Sequence, residues 1–244
     1  MRQQKSDDRL WLYGHHAVRA ALANPHRTIK RIVLTERSQR EFSQSLLARV
    51  RSEIVTPDAV ARLLPQGAVH QGVALSCNPL PKRDLDDILS KHQSLRRIVL
   101  ILDQISDPQN VGAVLRTAAA FDVSAVVVQD RHAPPESGAL AKAASGALDA
   151  IPYVRTVNLA RTVELLADAH FWRISLAGDG DVPLSQAVGN TDVALVLGSE
   201  GSGIRRLVRE RCDTSAYIPI GRGMESLNVS AAAAIALYEC RRSP

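Results

Sequence analysis

Polar side chains able to do chemistry gather in three short stretches of the C-terminal half. Asn110 and Arg116 lie in LDQISDPQNVGAVLRTAAAF (102–121), Glu200 in LVLGSEGSGI (195–204), and Ser226 and Asn228 in IPIGRGMESLNVSAAAAIALYE (218–239). Two amides, a hydroxyl, a carboxylate and a guanidinium can orient a ligand and stabilise developing negative charge. No histidine lies in the three stretches, so they hold no general base with an ordinary pKa near neutrality. Small residues in Gly198–Gly203 leave backbone groups open to a ligand. A phosphate is the reflex occupant of such a loop, but Glu200 at its centre repels phosphate and suits a positively charged or hydrogen-donating ligand. The alternative use of that carboxylate is to cap the helix expected from Ile204. Asn110 likewise has two readings, a ligand group or a helix cap. Gly112 permits close backbone approach, and Arg116 shares its helix face four residues on. Ile218 and Leu227 offer apolar surface for a flat ring.

Each stretch starts as an apolar run, passes through a loop of Gly, Asn, Ser, Asp or Pro, and enters a helical pattern. Three strand–loop–helix units of this kind place their loops at one end of a sheet, where open α/β sheets bind ligands. From Arg97 onward the expected strands are 98–102, 125–128, 172–176, 193–197 and 216–220. The helices alternating with them are 113–121, 140–148, 159–169, 204–211 and 227–241. Continuous apolar strands interleaved with helices predict a parallel sheet covered on both faces. Upstream, residues 11–76 read as a smaller α/β unit with strands 29–34 and 73–75, a short helix after Tyr13 and a helix over 40–52. Pro79 and Pro81 break the pattern, and a short polar helix is expected over 84–94. The boundaries are therefore set at 10–78, a linker at 79–95, and 96–244.

The chain of 244 residues is 45% hydrophobic and 23% charged, within the range of globular proteins. Aromatics at 4% disfavour an aromatic stacking platform for single strands. Thirty Lys and Arg against 25 Asp and Glu give a net charge of +5, compatible with a polyanionic partner. Arg205, Arg206, Arg209 and Arg211 read either as phosphate ligands or as a solvated face. Walker A, G-x-G-x-x-G and G-x-S-x-G signatures are absent, and Gly178–Asp181 reads as an ordinary turn. Cys77, Cys212 and Cys240 lack metal-binding spacing and read as packing residues in a reduced, cytoplasmic compartment. The seven histidines are scattered, so no metal is expected. His15 and His16 read either as contacts for such a polyanionic partner or as structural residues. No apolar run approaches a membrane span, and the first residues lack a signal-peptide core.

In wording and order, Asp-Pro-x-Asn-x-Gly-x-x-x-Arg, Gly-x-Glu-x-x-Gly and Ser-Leu-Asn-Val-Ser resemble the SpoU-type RNA ribose 2′-O-methyltransferases of the SPOUT superfamily. Tyr13–Val18 with Ala21 and Leu22 is similar to the substrate-binding domain at the family's N-terminus. The resemblance implies an L30e-like RNA-binding domain over 10–78 and a SPOUT methyltransferase domain over 96–244, with a C-terminal trefoil knot. It implies S-adenosylmethionine as cofactor, held at Gly198, Ile218 and Leu227. Asn110, Arg116, Glu200, Ser226 and Asn228 are implied to be catalytic, in a homodimer acting on a guanosine of 23S rRNA. Methylation of a tRNA D-loop, methylation of rRNA for antibiotic resistance, and an inactive ribosome-assembly factor are the alternatives. The family makes Arg116 catalytic at the ribose and its phosphate. An Arg pKa above about 12 excludes it as base, so it would stabilise the alkoxide while RNA phosphate or solvent takes the proton. Gly221–Glu225 is bulkier and more charged than the family pattern leads one to expect.

Overall fold

The computed structural model describes residues 10–90, 96–221 and 223–242. The chain begins with β1 (Leu10–Tyr13), α1 (His15–Ala23), β2 (Ile29–Leu34), α2 (Glu36–Gln39), α3 (Gln44–Leu47), β3 (Ser52–Ile54), α4 (Pro57–Ala61) and β4 (Val73–Cys77). These strands form a four-stranded sheet of order β1-β4-β2-β3. After α5 (Leu85–Leu89) come β5 (Ile98–Leu102), α6 (Pro108–Ala120), β6 (Ala125–Gln129), α7 (Gly138–Ala143), α8 (Ala147–Ala150), β7 (Tyr153–Thr156) and α9 (Leu159–Asp168). The chain continues through β8 (Trp172–Leu176), β9 (Val182–Pro183), α10 (Leu184–Ala187), β10 (Val193–Leu197), α11 (Arg206–Arg209), β11 (Thr214–Tyr217) and α12 (Val229–Arg242).

The second sheet has seven strands in the order β7-β6-β5-β10-β8-β11-β9, and every described pairing in it is parallel. Its central strands are apolar at every position because both faces are covered. Ile98, Leu100, Leu102, Leu195 and Leu197 join one core cluster, while Val99, Ile101, Ala194 and Val196 join the other. Among the described residues no helix is long and apolar enough to cross a membrane.

Several local expectations are corrected. The helix over 40–52 reduces to α3, because the chain then becomes extended and pairs β3 in parallel with β2. All three β3 residues are exposed, so no apolar alternation marked them. The helix over 140–148 is interrupted at Ser145 and Gly146, both with positive φ (50° and 98°). β11 stops at Tyr217 rather than Ile220, and α11 is a single turn. The 84–94 helix is α5 over its first part; residues 91–94 lie outside the described residues.

The two sheets share a core. Leu12, Val18 and Leu75 pack in one cluster with Val111, Leu140 and Leu148. A fully buried Arg27 side chain crosses the junction, where Nε and Nη2 each donate to Asp149 at 2.9 Å. Arg27 also pairs with Glu136, whose other oxygen accepts from Leu80 N at 2.9 Å. The start of the proline-containing segment is thereby tied to the larger unit. Burial pushes the Cys77 and Cys212 thiols up to about 12 and Cys240 to about 11, which fits packing rather than reactive roles.

Candidate active site

The loops after β5, β10 and β11 meet at the carboxyl end of the parallel sheet, as their shared strand–loop–helix pattern requires. Asn228 Nδ2 donates to Asn110 Oδ1 at 3.0 Å and to Glu200 Oε1 at 2.8 Å, so one amide joins all three stretches. Asn228 Oδ1 accepts from Ser230 N (3.0 Å) and Ser230 Oγ (2.6 Å), capping the start of α12. Glu200 Oε1 also accepts from Val229 N at 3.3 Å. The Glu200 carboxylate therefore serves the first turn of α12, not the helix after its own loop, and its charge complements that end of the dipole.

Asn110 is not a cap. Asp107 caps α6 by accepting from Gln109 N at 3.0 Å and Asn110 N at 3.4 Å, and Pro108 occupies the first helical position. Asn110 thus stands inside the first turn with its side chain committed to Asn228.

A residue outside the sequence-based set shapes the glycine loop. Asp103, at the end of β5, is fully buried and accepts from Arg205 N and Nε, each at 2.9 Å. Its own N–H donates to Leu197 O at 2.8 Å. Ser202 Oγ donates to Gln104 Oε1 at 2.8 Å and lies 2.6 Å from Ser199 Oγ. The usable sequence signal was a carboxylate closing an apolar strand, a position that needs a partner once buried. Gly198 is required by the loop itself. A Cβ there would collide with the backbone of Gly203 and with Ile204 N.

Beside this junction lies a cavity of about 390 Å³, within the usual size range of small-molecule sites. Gly198, Ile218 and Leu227 line it, as do Glu200 and Ser226. Asn110, Arg116 and Asn228 do not. The turn after β8 contributes Gly178 and Asp179, so Gly178–Asp181 is not only the ordinary turn its sequence suggests. Leu176, Leu197 and Val229 supply apolar wall, and Asp179, Glu200 and Glu225 supply carboxylates. The lining cation Arg209 is held by Asp179, with Nη1 2.8 Å from Oδ2. That hydrogen bond holds the Asp179 carboxyl below its usual range. The remaining acids favour a ligand with a positively charged end and a flat apolar part.

Arg116 is exposed on α6, off the cavity, and has no ion-pair partner among the described residues. The downstream arginines are engaged internally: Arg205 with Asp103, Arg206 with Glu210, Arg209 with Asp179 and Arg211 with Glu164. They do not form a free set of phosphate ligands. The alanine run of α12 turns Ala233 and Ala236 into its own core, leaving Ile235 and Tyr238 exposed.

Comparison with known proteins agrees with this geometry. Residues 97–238 match the SpoU rRNA Methylase family, and residues 11–83 match a family described as RNA 2′-O ribose methyltransferase substrate binding. The chain is 40% identical over 240 residues to the 23S rRNA (guanosine-2′-O-)-methyltransferase RlmB of Vibrio vulnificus, covering 95% of this chain and 96% of that one. A putative RNA methyltransferase of the TrmH family from Porphyromonas gingivalis superposes with a TM-score of 0.77 at 25% identity, over 97% of this chain and 91% of the other. The SpoU methyltransferase AviRb of Streptomyces viridochromogenes, in complex with AdoMet, gives 0.77 at 22% identity over 96% and 89%. With its three loops meeting at Asn228 and both family regions matched in order, the chain belongs to the SpoU rRNA methylase family.

Proposed function

We propose that this protein transfers the methyl group of S-adenosylmethionine to the ribose 2′-hydroxyl of a guanosine in 23S rRNA. The observation that carries the reading is the junction of Asn110, Glu200 and Asn228 beside the acid-lined cavity, in a chain 40% identical to an enzyme named for that reaction. The cavity suits the cofactor chemically: apolar walls for adenine, backbone groups for its polar edge, and carboxylates for a cationic portion. Gly198, Ile218 and Leu227 are the proposed holding residues, and Glu200 and Glu225 are carboxylates that would balance the cofactor's positive charge. When bound, the cofactor supplies an electrophilic methyl on a sulfonium.

The protein's own task is alignment and charge stabilisation. Ser226, Asn110 and Asn228 orient the acceptor, and Arg116 stabilises the alkoxide as it develops. Its guanidinium stays protonated, so RNA phosphate or solvent takes the hydroxyl proton. Arg116 lies off its own cavity and Ile235 and Tyr238 are exposed on α12, which supports a homodimer sharing the site between subunits. Residues 10–78 dock RNA, 79–95 link, and 96–244 form the catalytic domain with a trefoil knot. Ribosomal RNA as substrate implies action in the cytoplasm.

The test is transfer of labelled methyl from S-adenosylmethionine to a 23S rRNA transcript. Transfer is expected to one guanosine and to vanish when that nucleotide lacks its 2′-hydroxyl. Labelling that persists on the deoxy substrate would contradict ribose methylation. Mixing Arg116→Lys protomers with Gly198→Val protomers tests sharing: activity above either parent is expected, and no recovery in verified heterodimers would place Arg116 with its own cofactor.

A further inference from the structure

One charged cluster lies outside the reacting loops, across the junction of the two units. Lys142 of α7 reaches over the start of α1, where its Nζ donates to Gln71 Oε1 at 2.6 Å. The same oxygen accepts from His15 N at 3.1 Å, and His15 Nε2 is 3.0 Å from Gln71 O. The His15 ring stands edge-on to Phe42 with centroids 5.8 Å apart. Arg19 lies over the Phe42 ring at 5.9 Å and donates to the Glu41 backbone O at 2.8 Å.

Two features mark this cluster together. The backbone around it is unusual: Gln71 holds a φ of 56°, rare outside glycine, and Gly14 holds 86°. A Cβ at Gly14 would fall 2.5 Å from Lys142 Nζ and 2.8 Å from its Cδ, so glycine here also clears the floor on which the lysine lies. In addition, among the described residues no acid pairs with these cations. Lys142 and Arg19 bond to a neutral amide and a carbonyl, and the first turn of α1 carries no acidic residue. By contrast Arg27, Arg97, Arg155, Arg173, Arg205 and Arg209 each hold a carboxylate. Burial lowers the Lys142 pKa, as expected of an ammonium held without a counter-charge.

The helix that carries Lys142 packs against α6, which holds Asn110. Gly112, two residues past Asn110, lies so close to α7 that a Cβ would meet Ala144 N at 2.9 Å. Lys142 is therefore carried on the helix that buttresses the start of α6.

We propose that Lys142 and Arg19, set in place by Gln71, His15 and Gly14, form a composite docking site for the sugar–phosphate backbone of the substrate RNA. The proposal rests on the RNA-methylating reading and names the residues that hold the strand leading away from the reacting ribose. Lys142 comes from the catalytic unit and Gln71 from the substrate-binding unit, so the site exists only while the two are docked. Strand capture is thereby registered to the reacting loops. Lys142 is a substrate-binding residue in this site, and Gln71 positions it.

The experiment measures binding of the 23S rRNA transcript by fluorescence anisotropy across a salt series, with methyl transfer measured separately. Lys142→Gln is expected to raise Kd and KM about tenfold and to reduce the slope of log affinity against log salt by about one. kcat and S-adenosylmethionine affinity should stay unchanged, and Lys142→Arg should restore RNA affinity. Arg19→Gln, at an exposed position, is the independent arm and should also lower the slope. Unchanged Kd and slope in both Lys142→Gln and Arg19→Gln would overturn the proposal. So would a Lys142→Gln defect that appears as a lower melting temperature, with the salt slope unaltered. If the wild-type protein binds the transcript through these residues but transfers no methyl, the docking site stands and the enzymatic reading fails.

Discussion

At the scale of single residues, the site depends on groups that hold other groups. Asp103 receives two hydrogen bonds from Arg205 and fixes the far end of the loop that begins at Gly198. Asp103→Asn removes the charge and one acceptor, leaving Arg205 underpaired beside a buried amide. It is expected to cost about 2–3 kcal/mol, read from chemical denaturation. A loss below about 0.5 kcal/mol, the scale of an ordinary surface substitution, would show that Asp103 does not hold the loop. Gly198→Ala puts a methyl into the backbone of Gly203. Calorimetry on the folded variant should therefore find S-adenosylmethionine binding lost, because the loop that lines the cavity must shift. Unchanged affinity would remove this loop from the cofactor site. Asn110, Glu200, Ser226 and Asn228 were legible as a set because each follows an apolar strand at the same end of the sheet. Asp103 carried only the mark of a carboxylate closing an apolar strand, and Asp179 and Glu225, single carboxylates in turns, carried no mark of what folds against them.

At the scale of elements, the long buried strands were the clearest part of the sequence. β5, β8 and β10 were expected with the boundaries observed: burial on both faces leaves an unbroken apolar run in β5 and β10, while β8 (WRISL) buries only Ile174 and Ser175. Elements held by pairing or by a neighbour's shape were not legible. β3 is exposed throughout and exists through its ladder with β2, while the break between α7 and α8 comes from two left-handed residues where Gly146 meets Ala20 of α1. α11 shrinks to one turn because Arg205 is extended and gives its N–H to Asp103. The contact between α6 and α7 has no room for a side chain at Gly112, where a Cβ would collide with Ala143. Gly112→Ala should lower stability by about 1–3 kcal/mol through overpacking, measured by thermal or denaturant unfolding. Because α6 carries Asn110 and Arg116, methyl transfer should fall further than cofactor affinity does. A variant with native stability and activity would show that this contact leaves the site's alignment untouched.

At the scale of the whole molecule, the two units behave as one body through a shared core and a buried ion cluster. Arg27→Met would leave Asp149 without its guanidinium in a site almost closed to water. The expected cost is about 3–5 kcal/mol in unfolding free energy, the scale of breaking a buried pair from one side. Replacing Asp149 and Glu136 with their amides in the same chain should recover part of it. No loss on Arg27→Met would mean that the junction is held by apolar contact alone. The shared core could not be read from sequence, because Arg27 is more than 100 positions from both Glu136 and Asp149 and all three look like ordinary surface charge. The central claim is that these elements assemble one ribose methyltransferase for 23S rRNA. The most direct measurement maps 2′-O-methylation across the rRNA and tRNA of a strain lacking this protein. Loss of a single 2′-O-methylguanosine in 23S rRNA is predicted, restored by the wild-type chain and not by Arg116→Lys, whose transfer rate should be lower by at least about 100-fold. An unchanged 23S rRNA pattern, or a mark lost only from tRNA, would contradict the account.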